Sequence, residues 1–292
     1  MAVDLQKLKR KMRGVTSTRQ VTRALQMVSA MKMRKAQDQA SRSREYRKGL
    51  SDLLNTFDIP ASSVVPELAV SPGGTVDLIV TFGSDRGLCG PFNTNLLNAV
   101  ARRAHELGPR NVEIKSVGWK VGAVLQRRGY KVLTNMRRPM EGDRLAFIRT
   151  MGNELRTLWL TGRYRSIHIL FSSLRGMTVL KPEAVSWLPI SAEGERKRPA
   201  PGEFIPDFID EPSTEEVYAA AIRRRLDNTL LAALLDSEAS EHVARMIAMD
   251  NATRNAQDLY NALKLTYNKA RQSKITQEIC EIVAGANAIG KG

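Results

Sequence analysis

Apolar positions at the two ends of the chain recur at helical spacing, and those in the middle alternate as strands do. Leu5, Leu8, Met12 and Val15 step by 3, 4 and 3, the spacing that keeps one helix face against a partner. Leu25 and Val28 continue the stripe. No Gly or Pro interrupts Val15 to Lys48, and Leu50, Leu53, Leu54 and Phe57 close the stripe ahead of Pro60. At the other end Ser213 and Glu216 form a capping box after Pro212, a helix start. The 71 residues from Thr214 to Ala284 then contain neither Gly nor Pro. A continuous helix of that length spans roughly 105 Å. Ile275, Ile279, Ile282, Ala286 and Ile289 step by 4, 3, 4 and 3 and read as a second seam.

Between about Thr75 and Ile190 the pattern changes. "VDLIVTF", "VEIKSVG", "YKVLTN" and "YRSIHILFSS" read as strands, separated by the helices "PFNTNLLNAVARRAHEL", "WKVGAVLQRR" and "DRLAFIRTMGNELRTLWL". "TVLKPEAVSWLPI" is a final strand. Such alternation predicts a mostly parallel sheet. The organisation is a helix over 1–58, an α/β domain over 75–190, a Pro-rich linker over 191–212 and a helix over 213–289. Helices this long need partners. A homodimeric coiled coil supplies one, and pairing between the two ends of the same chain supplies another. Because a whole domain intervenes, loop length does not fix the direction of such a pair.

Charge separates the two ends. The formal total is +15; residues 1–48 hold 14 Lys/Arg against 3 Asp/Glu, and residues 213–292 hold 10 of each. An electrostatic partner is therefore sought at the N-terminal segment. That segment contains one aromatic, Tyr46, so it offers no stacking platform for single-stranded nucleic acid, and nucleic acid is not expected as a partner. No segment reaches the ~18 apolar residues of a membrane span. Cys89 and Cys280 form no disulfide framework and no Cys/His cluster indicates a metal.

"TFGSDRGLCGPFN" (Thr81 to Asn93) has the strand, turn and helix of a phosphate-binding loop. Its glycines, Gly83, Gly87 and Gly90, are spaced G-x-x-x-G-x-x-G, which is neither the dinucleotide fingerprint nor a P-loop. The structural alternative is that they allow positive φ in a tight connection, with Pro91 opening the helix. His105, His168 and His242 are scattered, with His168 in a strand pattern. Neither a catalytic residue nor a bound cofactor is expected.

Three separated stretches resemble one family. "STRQVTRALQMVSAMKMRKAQ" (Ser17 to Gln37), "SDRGLCG" (Ser84 to Gly90) and "YNKARQSKITQEICEIVAGANA" (Tyr267 to Ala288) are similar to the gamma subunit of rotary, F-type ATP synthases. The third carries the pattern of Ile275, Thr276, Glu278, Glu281, Gly285 and Ala286. The resemblance implies an antiparallel coiled coil of the N- and C-terminal helices, with a Rossmann-like α/β domain between them in sequence. It implies a central-stalk rotor without catalytic residues, coupling ion translocation to ATP synthesis or hydrolysis. The implied partners are three alpha and three beta subunits to one gamma, the epsilon subunit and the membrane c-ring. The implied location is the cytoplasmic face of a bacterial energy-transducing membrane, or an organelle.

By the same resemblance Arg245, Arg271 and Gln272 face beta-subunit loops, and Thr276 and Glu278 take part in coupling. Lys32, Arg34 and Lys35 lie near acidic lever segments. Two departures are local: Leu25 stands where many relatives have Met, and Pro91 replaces a second Gly. The chain has no cysteine insertion of the chloroplast redox-regulated type, so no thiol switch is expected.

Overall fold

The computed structural model describes residues 4–57, 61–71, 73–175, 179–190 and 211–289. Of the expected linker, positions 191–210 lie outside the described residues. The helices are α1 (Leu5–Thr56), α2 (Ala61–Val64), α3 (Pro66–Ala69), α4 (Phe92–Leu107), α5 (Trp119–Arg127), α6 (Arg144–Leu160) and α7 (Thr214–Ile289). The strands are β1 (Val76–Phe82), β2 (Val112–Val117), β3 (Lys131–Met136), β4 (Tyr164–Arg175) and β5 (Val179–Leu188). The chain divides into two compact units, Met1–Ser29 with Met246–Gly292, and Ala30–Arg245.

The larger unit is built on a sheet of order β3-β2-β1-β4-β5. β1 pairs in parallel with β2 and β4, β2 pairs in parallel with β3, and β5 runs antiparallel to β4. The central strand β1 is apolar at nearly every position because both faces are covered. Leu78, Val80 and Phe82 join Ile148, Met151, Leu155 and Trp159 of α6 and Ile222, Leu226, Leu230 and Leu234 of α7 in one core. Ile79 points the other way, into a core with Leu96 and Val100 of α4 and Val121 and Leu125 of α5. The period of two along a strand sorts these side chains onto opposite faces. In this unit α1 also packs on α7: Ser43 Oγ lies 3.1 Å from Asn228 Oδ1, and Phe57, one residue past the end of α1, meets Tyr218 edge-on at 5.7 Å between ring centroids. Higher numbers on one helix meet lower numbers on the other, so the two run antiparallel.

One bond of the capping box is present: the Glu216 N–H donates to Ser213 Oγ at 3.3 Å. Ser213→Ala is expected to cost about 1 kcal/mol, read from thermal denaturation of the full chain.

The smaller unit is an antiparallel helix pair. Arg19 bonds Gln257, Thr253 Oγ1 donates to Thr22 Oγ1 at 2.8 Å, and Gln26 Nε2 donates to Asp250 Oδ1 at 3.0 Å. The seam on α1 runs through Leu5, Leu8, Met12, Val15, Arg19, Thr22, Gln26 and Ser29, with Thr22 and Ser29 buried. Leu25 is half-buried, but Val28, expected in the seam, is 43% exposed. Polar side chains that bond across the pair hold the middle of the seam instead.

The second expected seam is also corrected. On α7 the sheltered positions are Met249, Thr253, Ala256, Tyr260, Leu263, Tyr267 and Ala270, stepping alternately by four and three. Continued, that phase falls on Lys274, Gln277 and Glu281. Ile275 and Ile282 lie one residue out of phase, about 100° around the helix, and Ile279 lies two residues out; they are 46%, 72% and 55% exposed respectively. Carried from Arg19 to Leu5, the pairing reaches about residue 271, so the rest of α7 has no described α1 residue opposite it.

Candidate functional site: a closed glycine turn and two open apolar stripes

The glycine turn spends its polar groups on the protein itself. The Gly83 N–H donates to Val117 O at 2.7 Å and the Ser84 N–H to Asn93 Oδ1 at 3.4 Å. Asp85 accepts the N–H of Trp119 at 2.8 Å and of Arg138 at 3.1 Å. Arg138 Nε donates to Gly83 O at 2.6 Å. A phosphate cradle needs such N–H groups free and converging; here the first two point at protein acceptors.

The glycines have different reasons. A Cβ on Gly83 would collide with the Val121 side chain, and one on Gly118 would strike the Gly83 backbone. Gly83 is therefore a close-approach residue rather than a positive-φ one. A Cβ on Gly87 would meet the tip of Lys120 at 2.8 Å. Left-handed backbone falls on Gly90 (φ 52) and, unexpectedly, on Leu88 (φ 62), which is 65% exposed. Pro91 takes the N-cap position of α4, one residue before the helix.

One face of α7 seats this turn. Ser237 Oγ donates to Phe82 O at 2.5 Å, and Ser240 Oγ to Ser172 O at 2.8 Å. Arg245 donates to Gly87 O at 3.2 Å. Glu241 joins them, accepting from Arg138 at 2.6 Å and from Arg245 at 2.5 Å, with both of its partners' side chains largely buried. Burial pushes the Glu241 carboxyl up, but Arg138 and Arg245 pull it further down, so it titrates below the ordinary carboxylate range. Residues 237, 241 and 245 share a face because they are four apart. Arg138, Ser237 and Glu241 were not legible as site residues. The available signal was that spacing, which any helix-surface ion pair also shows.

His168 is a sheet residue, buried in β4, with Ser166 Oγ at 2.8 Å. Burial, aided by the Arg103 charge, lowers it to about 4. His242 is likewise lowered to about 4, chiefly by burial, and its Nδ1 is buried without a partner.

The expected partner-contact residues separate into engaged and open ones. Arg245 is committed to Glu241 and Gly87. Lys35 pairs with Glu141 at 2.8 Å, while its neighbours Lys32 and Arg34 are exposed. Arg271, Gln272, Thr276 and Glu278 are all exposed on α7. Thr276 bonds back to Gln272 O at 3.0 Å, and Glu278 lies 3.8 Å from Lys274. The smaller unit also exposes Val21 (56%), Met27 (54%) and Val28 (43%) on α1, besides the isoleucines of α7. Exposed apolar residues that share one face of a long helix, as Ile275, Ile279 and Ile282 do, mark an interaction surface. Among the described residues no helix is long and apolar enough to cross a membrane.

A family model described as ATP synthase matches residues 4–289. The chain is 35% identical to the ATP synthase gamma chain of Pelotomaculum thermopropionicum, over 98% of this chain and 99% of that one. It is 35% identical to that of Flavobacterium johnsoniae, again over 98% and 99%. A chain of the Euglena gracilis mitochondrial ATP synthase, from the cryo-EM structure titled OSCP/F1/c-ring, superposes with a TM-score of 0.69 at 21% identity, covering 98% of this chain and 94% of that chain. A chain from the structure of its rotor gives 0.63 at 19% identity, covering 93% and 98%. At those identities the two structures speak for the fold alone.

Proposed function

The chain belongs to the ATP synthase gamma family, and from that premise we propose how it works as the rotor of the central stalk. A gamma subunit is a non-catalytic component of a membrane-associated complex, and catalysis resides on the beta subunits. The observation that supports a rotor here is the smaller unit: an antiparallel helix pair with a polar, cross-bonded seam and apolar stripes turned outward. Such a pair resists sliding of its register and offers a surface to a surrounding sleeve. The alpha and beta subunits, three of each around one gamma, are that sleeve. The c-ring and the epsilon subunit bind the α/β-bearing part of the chain. The helices over 1–58 and 213–289 act as the shaft, 75–190 as the foot and 191–212 as a linker. The working location is the cytoplasmic face of a bacterial energy-transducing membrane.

Coupling follows from asymmetry. A rotor shifts the three beta subunits between states only through contacts that differ among those states. The open residues Arg271, Gln272, Thr276 and Glu278 supply such contacts, with Lys32, Arg34 and Lys35 facing acidic lever segments. Arg245 serves by holding the glycine turn as well as by meeting a beta loop.

Co-expression with alpha and beta subunits tests the reading. The expected product is a complex with one copy of this chain per three beta subunits, whose ATPase activity depends on it. In that complex Arg271→Ala with Gln272→Ala is expected to lower coupled turnover several-fold while circular dichroism of the isolated chain is unchanged. Wild-type turnover in the double variant refutes the placement of the contact.

A further inference from the structure

The larger unit holds a cavity of about 500 Å³ between α1, α6 and α7, and neither the glycine turn nor the rotor reading uses it. Its volume lies within the usual range for small-molecule sites, about 300–1,000 Å³. Leu145, Ile148, Leu231 and Leu235 supply an apolar lining. Charge around it is unbalanced. Its acids are already engaged, Glu141 with Lys35 at 2.8 Å and Asp227 with Arg156 at 2.8 Å. Arg144 is also taken, by Glu238 at 2.6 Å. Arg42, Arg149 and Arg224 also line it, and among the described residues they have no ion-pair partner.

We propose that this cavity is a binding site for a small organic anion with an apolar body, its acid group held among Arg42, Arg149 and Arg224 and its body on the leucine and isoleucine lining. Two properties favour that class. An apolar lining without free acids attracts no cation, and three unpaired guanidinium groups select an acidic head. A neutral apolar ligand leaves those charges unused.

The probe for the test is anilinonaphthalene sulfonate, an aromatic body carrying one acid. The full chain is titrated with it while the leucine and isoleucine methyl resonances are followed by NMR. The methyls of Leu145, Ile148, Leu231 and Leu235 are expected to shift together along one saturating isotherm. Arg42→Gln with Arg224→Gln, both exposed and so harmless to the core, is expected to weaken that isotherm about fivefold. Arg110→Gln with Arg128→Gln makes the same change of net charge away from the cavity and is expected to leave it unchanged. Shifts confined to other methyls overturn the proposal, as do equal losses in both double variants. Loss of the site on assembly with the alpha, beta and epsilon subunits also overturns it, by making this face a protein interface. None of these outcomes bears on the rotor reading, which rests on assembly.

Discussion

Replacing Glu241 by alanine is expected to destabilise the chain by about 3–5 kcal/mol, the usual cost of removing one member of a buried ion group. Glu241 is 6% exposed and is the acid that both Arg138 and Arg245 address. Without it two largely buried guanidinium groups face each other. Arg138 already has one buried nitrogen without a partner, so it has little capacity to compensate. The damage falls on the seat of the glycine turn, because Arg138 also holds Gly83 O and Arg245 also holds Gly87 O. Urea denaturation of the wild-type chain and of Glu241→Ala at neutral pH measures the difference. A loss below about 1 kcal/mol, the level of an exposed pair, refutes the node. Charge alone is isolated by Glu241→Gln, which keeps the shape and is expected to recover only a minor part of the loss.

Acidification is expected to bring the second large effect, beginning well above the pH at which carboxylates titrate. His168 and His242 are both held near 4, first by burial, against about 6.5 in the unfolded chain. A group whose folded pKa is depressed contributes stability above its unfolded value and loses it as pH falls toward the folded value. The window is therefore about pH 6.5 down to 4. Each histidine accounts for about 2 kcal/mol between pH 7 and 5, and the pair for about 3 kcal/mol once the partial exposure of His242 is allowed for. Glu241, whose folded pKa is lowered, adds to this only as pH falls below the ordinary glutamate value of about 4.3. Denaturant midpoints at the two pH values give the slope, and His168→Gln with His242→Gln is expected to flatten it. An unchanged slope in the double variant assigns the pH dependence to other groups.

The elements were legible because each is specified locally. "VDLIVTF" is apolar at five of its seven positions and became the central strand, covered on both faces. Ser213 and Glu216 marked the start of α7 within one residue. The sheet was legible as mostly parallel from the alternation of helices and strands, and the antiparallel β5 is the one strand that returns without a crossover helix. The glycine turn was legible as architecture from the motifs it lacks, though not in detail. Close approach to Val121 and to Gly118 needs a second loop, and no local pattern in "SDRGLCG" contains it.

The sequence by itself determined two long helices, an α/β domain between them, and, through three separated motifs, the family. Those features depend on spacing and residue type within a short stretch, where hydrophobic period and capping chemistry act. Tertiary structure alone decided which helix faces meet. Apolar periodicity pointed to Val28 and to Ile275, Ile279 and Ile282, yet Arg19, Thr22 and Gln26 bond across the middle of the pair, Val28 is turned to solvent, and the three isoleucines lie past the last described α1 residue. The physical reason is that an apolar stripe records burial without recording by what. Polar residues that satisfy each other hold part of a helix pair together beside its apolar positions, and an apolar residue with nothing opposite it in the chain stays exposed.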